Sequence, residues 1–208
     1  MAGRRPKAFL MLGGKPLFRH SLDSFRRVRL VREIVLTVPP GYEKRVRVPG
    51  VRVVAGGRTR QDSVARGLQV LSTECDVVVV HDTARPLVTE STILRILRAA
   101  KRHGAALTAA PTVDTIKLAR HGRVVRTLDR STLWNAQTPQ AFRAPLMRRA
   151  FSAARAGGAR ATDCSGLLER IGVRPLLIPP DAPNPKVTLP EDLTLAALLL
   201  RRKLGRPY

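Results

Sequence analysis

The hexapeptide His81-Asp-Thr-Ala-Arg-Pro86 follows directly on an apolar run, Asp76-Val-Val-Val-Val80, so Asp82 and Arg85 are expected just beyond the carboxyl end of a strand. Ligands of open α/β sheets bind at that edge. A carboxylate there can accept a ribose hydroxyl or serve a magnesium-bound triphosphate, and an arginine beside it can grip a phosphate through two parallel hydrogen bonds. A turn with a structural ion pair would explain the charges but not their placement. His81, at the strand end, reads as a structural hydrogen-bonding residue and not as an acid or base.

A second segment, Gly56-Gly-Arg-Thr-Arg-Gln-Asp-Ser63, lies between the strand around Val51 and a helix. Small residues there let backbone approach a ligand closely, and Ser63 with neighbouring amides is suited to reading a base edge. The same glycine pair also fits a plain helix entry, and the local sequence leaves both readings open. Lys7 and Lys186 are two further cations, each by itself compatible with an ordinary surface position. Trp134-Asn-Ala-Gln-Thr-Pro-Gln140 offers hydroxyl and amide groups beside a proline-fixed turn, suited to loop structure or to ligand contact.

These groups need a scaffold, and the pattern supplies one. β-Branched runs at Ile34 to Val38, Val51 to Val54, Val77 to Val80 and Ala105 to Ala110 alternate with helical periodicity, which predicts βαβ units around a mostly parallel sheet. Four consecutive valines at 77 to 80 predict a strand buried on both faces and central in the sheet. Ile93, Ile96, Leu97 and Ala100 recur at helical spacing, with Thr89 as the expected cap. Thr188 and Glu191 have capping-box spacing ahead of a last helix running through Leu193 to Leu200. Residues 112–134 break the alternation around Arg120-His-Gly-Arg123 and read as an extended hairpin, an inserted β-arm that needs a partner surface.

A length of 208 residues suits one α/β domain spanning 1–208. Neither a membrane-length apolar run nor a secretory signal is visible, so a cytoplasmic protein is expected. Cys75 and Cys164 stand far apart outside any ligand cluster, which argues against a disulfide framework or a protein-built metal site. The balance of 38 Lys and Arg against 15 Asp and Glu gives a net charge of +23. Such a charge suits polyanions, but the basic residues are scattered and aromatics make up only 4%, so a solvated arginine-rich surface is preferred over nucleic-acid binding.

The chain resembles 2-C-methyl-D-erythritol 4-phosphate cytidylyltransferases in eight short motifs that occur in the family's order. They are Pro6-Lys-Ala-Phe-Leu10, Gly56-Gly-x-x-Arg-x-x-Ser-Val64, His81-Asp-x-Ala-Arg-Pro86, Asp114-Thr115, Asp129-Arg130, Gln137-Thr-Pro-Gln140, Thr162-Asp163 and Lys186-Val-Thr-x-Pro-Glu-Asp192. The resemblance implies a Rossmann-like fold of the nucleotide-diphospho-sugar transferase type. It implies transfer of CMP from CTP to 2-C-methyl-D-erythritol 4-phosphate, with release of pyrophosphate, in the non-mevalonate isoprenoid pathway. Ser63 and the Gly57 backbone would face cytosine, with Arg58 leaving that contact to backbone. Asp82 and Thr83 would serve the ribose or metal side, with Asp82 also among the groups around the substrate. Arg85, Thr138 and Lys186 would take the methylerythritol phosphate. Lys7 would hold the triphosphate, and Lys7, Lys186 and Mg²⁺ carried on the CTP phosphates would neutralise the reacting anions. The arm would cross to a second subunit of a homodimer, delivering Thr115 and Arg130 to the neighbour's substrate phosphate.

Family members open with an apolar strand and an Ala-Ala-Gly-x-Gly-x-Arg-Met loop, whereas this chain opens with Met1-Ala-Gly-Arg-Arg-Pro-Lys7. The resemblance therefore implies a strand and triphosphate loop upstream of Met1 in the natural protein. Without them, neighbouring strands should lack ladder partners and CTP turnover should be impaired. Two alternatives are a cytidylyltransferase for ribitol 5-phosphate or a similar polyol phosphate, and an inactive relative that binds polyanions.

Overall fold

The structure, a computed structural model, describes residues 6–203 and 205, so the opening Met1 to Arg5 lies outside the described residues. The strands are β1 (Met11–Leu12), β2 (Lys15–Pro16), β3 (Val35–Val38), β4 (Arg52–Ala55), β5 (Val77–Val80), β6 (Ala105–Pro111), β7 (Lys117–Arg120), β8 (Arg123–Thr127), β9 (Trp134–Arg143) and β10 (Leu176–Ile178). The helices are α1 (Leu17–Arg26), α2 (Arg60–Val70), α3 (Glu90–His103), α4 (Ala144–Ala156), α5 (Cys164–Glu169) and α6 (Pro190–Lys203).

The main sheet has the order β10-β6-β9-β5. β10 and β6 run parallel, while β9 is antiparallel to both β6 and β5. Period-two alternation on β9 sends Ala141 toward α3 and Phe142 toward α4 and α5, so helices cover both faces. Along α3, Ile93, Ile96, Leu97 and Ala100 are all buried as their spacing predicts, and Thr89 caps the helix by accepting from the Thr92 amide. The α/β expectation holds, but the sheet is mixed. Trp134 to Gln140, which the sequence suits to loop structure or to ligand contact, is the first part of β9. Its proline is accommodated by an irregularity: the register passes from Leu107↔Gln140 to Ala109↔Ala136, so Thr138-Pro139 stands outside the regular ladder.

β3 and β4 form a separate parallel pair. At one end, Arg60, which opens the helix after β4, bonds Asp82 just beyond β5. At the other, the amide of Ser72, near the start of β5, donates to Glu33, just ahead of β3. β3 and β5 therefore run in the same direction, with an apolar cleft of about 850 Å³ lined by residues of both. This corrects the expected central place of the four valines. Both faces of β5 are covered, yet among the described residues its one ladder partner is β9, and of its four valines only Val78 is buried because the other edge opens on the cleft.

β7 and β8 form the arm, every residue of which is exposed, closed by a two-residue turn at His121 (φ 49) and Gly122 (φ 74). Positive φ at both central positions is what a tight hairpin of this hand requires, and glycine adopts it without strain. At α6 the capping group differs from the expected one. Asp192, not Glu191, accepts from the amides of Thr188 and Leu189 and from the Thr188 hydroxyl. With those three donors its carboxyl is held at about 2.

Candidate active site

Asp82 is fixed by what surrounds it. Its backbone amide donates to Thr138 Oγ1 at 3.1 Å. Its Oδ1 accepts from Arg60 Nε at 2.9 Å, and its Oδ2 faces Lys186 Nζ at 3.0 Å. Burial pushes the carboxyl up, but the charges and hydrogen bonds of Arg60 and Lys186 outweigh it and hold it below the ordinary carboxylate range. The Lys186 segment reaches Asp82 because it is tied down on both sides. Asn184 accepts the Leu87 amide through its side chain and an Arg85 Nη1 proton through its carbonyl, and the Val187 amide donates to the Ala84 carbonyl. Lys7 donates to the Thr188 carbonyl at 2.8 Å, which places it beside the same segment.

His81 occupies the back of this cluster. Its Nε2 lies 2.9 Å from the Arg85 carbonyl and its Nδ1 3.1 Å from Thr138 Oγ1. A carbonyl can only accept, so Nε2 carries the proton and Nδ1 accepts from Thr138, whose oxygen in turn takes the Asp82 amide. The neutral ring alone completes this chain. Burial drives the His81 pKa down to about 4 from 6.5, in keeping with its reading as a structural residue. A histidine lowered in this way binds fewer protons when folded than when unfolded. Its stabilisation is complete above 6.5 and is lost as pH falls toward 4. Unfolding stability should drop by about 2 kcal/mol between pH 7.5 and 5 from this group. Urea titrations should show that slope in the parent protein and a flattened one in His81→Gln; equal slopes would refute the assignment.

The glycine-rich turn has a packing reason. A Cβ on Gly57 would stand 2.2 Å from Asp62 Cβ, and one on Gly56 would stand 2.9 Å from Ser63 Oγ. The first turn of α2 thus closes directly on the loop. Thr59 and Asp62 form a reciprocal capping box, and Ser63 Oγ takes the Gly57 amide at 3.0 Å while donating to the Thr59 carbonyl. The helix-entry reading is therefore realised here, and the Ser63 side chain still borders the cleft.

Ser63, Asp82, Thr83 and Lys186 line one cavity, joined there by Arg60. Thr138 adjoins it through the Asp82 amide, and Arg85 through its own amide, which donates to the Asp82 carbonyl. Arg85 is turned to the Asn184 carbonyl, and its buried Nε has no partner among the described residues. Arg58 is exposed, and among the described residues no bond links it to the cluster. Thr115 and Arg130 stand exposed at the base of the arm, Arg130 bonded to the Val113 carbonyl at 2.7 Å, and among the described residues no bond links either to Asp82. Arg60 belongs to the Gly56 to Val64 motif, whose local sequence assigns it no role. A buried cation partner is what an inward-facing Asp82 demands, and that was the signal for it.

A mixed sheet with helices on both faces carries a cation-flanked carboxylate beyond its strand ends, where open α/β sheets bind ligands. The profile of the 2-C-methyl-D-erythritol 4-phosphate cytidylyltransferase family matches residues 1–202. The chain is 38% identical to the enzyme of that name from Syntrophus aciditrophicus, over 99% of this chain and 92% of the relative. It is 41% identical to that from Pelotomaculum thermopropionicum, over 96% and 88%. The crystal structure of the Thermus thermophilus enzyme superposes with a TM-score of 0.84 at 37% identity, covering 96% of each chain. The chain belongs to the 2-C-methyl-D-erythritol 4-phosphate cytidylyltransferase family.

Proposed function

We propose that this protein transfers CMP from CTP to 2-C-methyl-D-erythritol 4-phosphate in the cytoplasm, within isoprenoid synthesis. The observation that carries the reading is the convergence of Ser63, Asp82, Thr83 and Lys186 on one cavity, with Lys7 and Thr138 beside them. A phosphate oxygen of the polyol attacks the α-phosphorus of CTP in line. The bond from that phosphorus to the bridging oxygen breaks, and pyrophosphate leaves with the electron pair. Two polyanions must meet, so Lys186 serves the polyol phosphate and Lys7 the triphosphate, lowering their repulsion and the charge of the transition state. Asp82 offers acceptor oxygens to substrate hydroxyls.

Magnesium fits this arrangement as a passenger of the nucleotide. Among the described residues no three His, Cys, Asp or Glu side chains gather as a metal cage. With no such cage among them, and with Arg60 on one oxygen of Asp82, the ion's ligands would be mainly phosphate oxygens. When bound, it would neutralise charge on the departing pyrophosphate. Pyrophosphate release from CTP should be supported by methylerythritol phosphate far better than by ribitol 5-phosphate. Turnover with ribitol phosphate alone would reject the assigned substrate.

The arm supports a shared site. Val113, Val124 and Val125 on and beside it are exposed, and such a hairpin gains stability by lying on a second copy. Thr115 and Arg130 would then serve the neighbour's polyol phosphate. Lys186→Ala and Arg130→Ala should each be nearly inactive alone. Co-expressed, they should recover about a quarter of the parent rate, because half the dimers are mixed and each mixed dimer holds one intact site. No recovery in a mixture shown to contain mixed dimers would refute sharing.

A further inference from the structure

We infer that Arg60 is a positioning residue, the permanent counter-ion of Asp82, which lets Lys186 leave that carboxylate and turn to the polyol phosphate. The inference rests on the substrate roles of Asp82 and Lys186 proposed above.

Asp82 is bonded by two cations that differ in freedom. Lys186 is a single ammonium on a flexible stem, with a side chain 44% exposed. Arg60 is a planar fork at the first turn of α2, more enclosed at 30% and held at two of its nitrogens. Its Nε meets Asp82 Oδ1 at 2.9 Å and its Nη1 meets the buried Cys164 sulfur at 3.6 Å, while its buried Nη2 has no partner among the described residues. Arg60 therefore joins the starts of α2 and α5 to the end of β5 and cannot follow a ligand without breaking that junction.

The charges then dictate a sequence of events. An arriving phosphate competes for Lys186, the more exposed and mobile of the two cations. Its departure frees Asp82 Oδ2 to accept a substrate hydroxyl. A carboxylate as enclosed as Asp82, 17% exposed, would resist losing its only cation, since an unpaired buried charge is strongly unfavourable. Arg60 removes that obstacle by remaining on Oδ1. Without it, Lys186 stays on Asp82 and the polyol phosphate loses both its cation and its hydroxyl acceptor.

The test is a double-mutant cycle read by calorimetric binding of 2-C-methyl-D-erythritol 4-phosphate to the parent, Arg60→Ala, Asp82→Asn and the double variant. Arg60→Ala should weaken binding by about tenfold or more in the parent, and by less than about threefold when Asp82 is already Asn. Arg60→Lys, which keeps the charge but not the fork, should fall between parent and Ala and covers the case in which Arg60→Ala does not fold. In that case the cycle is run with Lys in place of Ala. Equal factors in the two backgrounds mean that Arg60 acts through general structure, and they overturn the inference while leaving the site reading intact. A parent protein that binds no polyol phosphate overturns both.

Discussion

Replacing Lys186 by Ala should lower kcat/KM for the polyol phosphate by about 10²- to 10³-fold, the usual loss when one preorganised group facing developing phosphate charge is removed. The fold should survive the change. Lys186 has a side chain 44% exposed, so its ion pair with Asp82 contributes at most about 1 kcal/mol, and Arg60 remains on the other carboxylate oxygen. Melting temperature and turnover should thus separate. Lys15→Ala, which deletes an exposed pair with Asp23, provides a matched loss of positive charge away from the site and should leave turnover unchanged. Pyrophosphate release measured for both variants decides the matter. Retention of more than a tenth of the activity by Lys186→Ala would remove that lysine from the reaction.

Gly57→Ala should disrupt the glycine-rich turn as a unit. Its added methyl would stand 2.2 Å from Asp62 Cβ and 3.0 Å from the Asp62 carbonyl carbon, so backbone would have to move. Moving it opens the Thr59–Asp62 capping box and the Gly57 amide to Ser63 hydroxyl bond together. Overpacking of this kind typically costs about 1–3 kcal/mol, with about 1 kcal/mol more for the cap. Binding of CTP should fall with stability, since Ser63 borders the cavity and Arg60 follows in the same turn. Gly157→Ala at the end of α4 is the control. There the nearest atom to a new Cβ is the Ala153 carbonyl oxygen at 3.5 Å and φ is negative. Stability there should change by less than about 1 kcal/mol. Urea unfolding of the two variants tests the contrast, and similar midpoints would show that the turn yields at little cost.

The net charge of +23 acquires a specific use only locally. At Asp82, two cations are drawn into partly enclosed positions, where their field is screened less than that of the solvated arginines on the helices. Cys164 sits beside Arg60 with its thiol pushed up by burial, so it contributes packing and a weak acceptor, not a thiolate.

Several features were determined by the sequence alone, because they depend on residues a few positions apart. The stripe Ile93, Ile96, Leu97 and Ala100 required a helix with one buried face, and Thr89 required its start. Arg120-His-Gly-Arg123 required a tight turn, and the ordered motifs specified the family. Other features were decided by the tertiary structure, because their partners are remote. The period of Trp134 to Gln140 does not reveal a strand whose register is set by β6 and β5 on either side and interrupted near its proline. The valines of β5 satisfied the rule for a central strand, yet their place in the ladder depended on which edges met. Arg60 finds Asp82 across 22 residues and Cys164 across 104. Local pattern fixes which residues are helical, extended or charged; only packing of the layers fixes which charges must face one another.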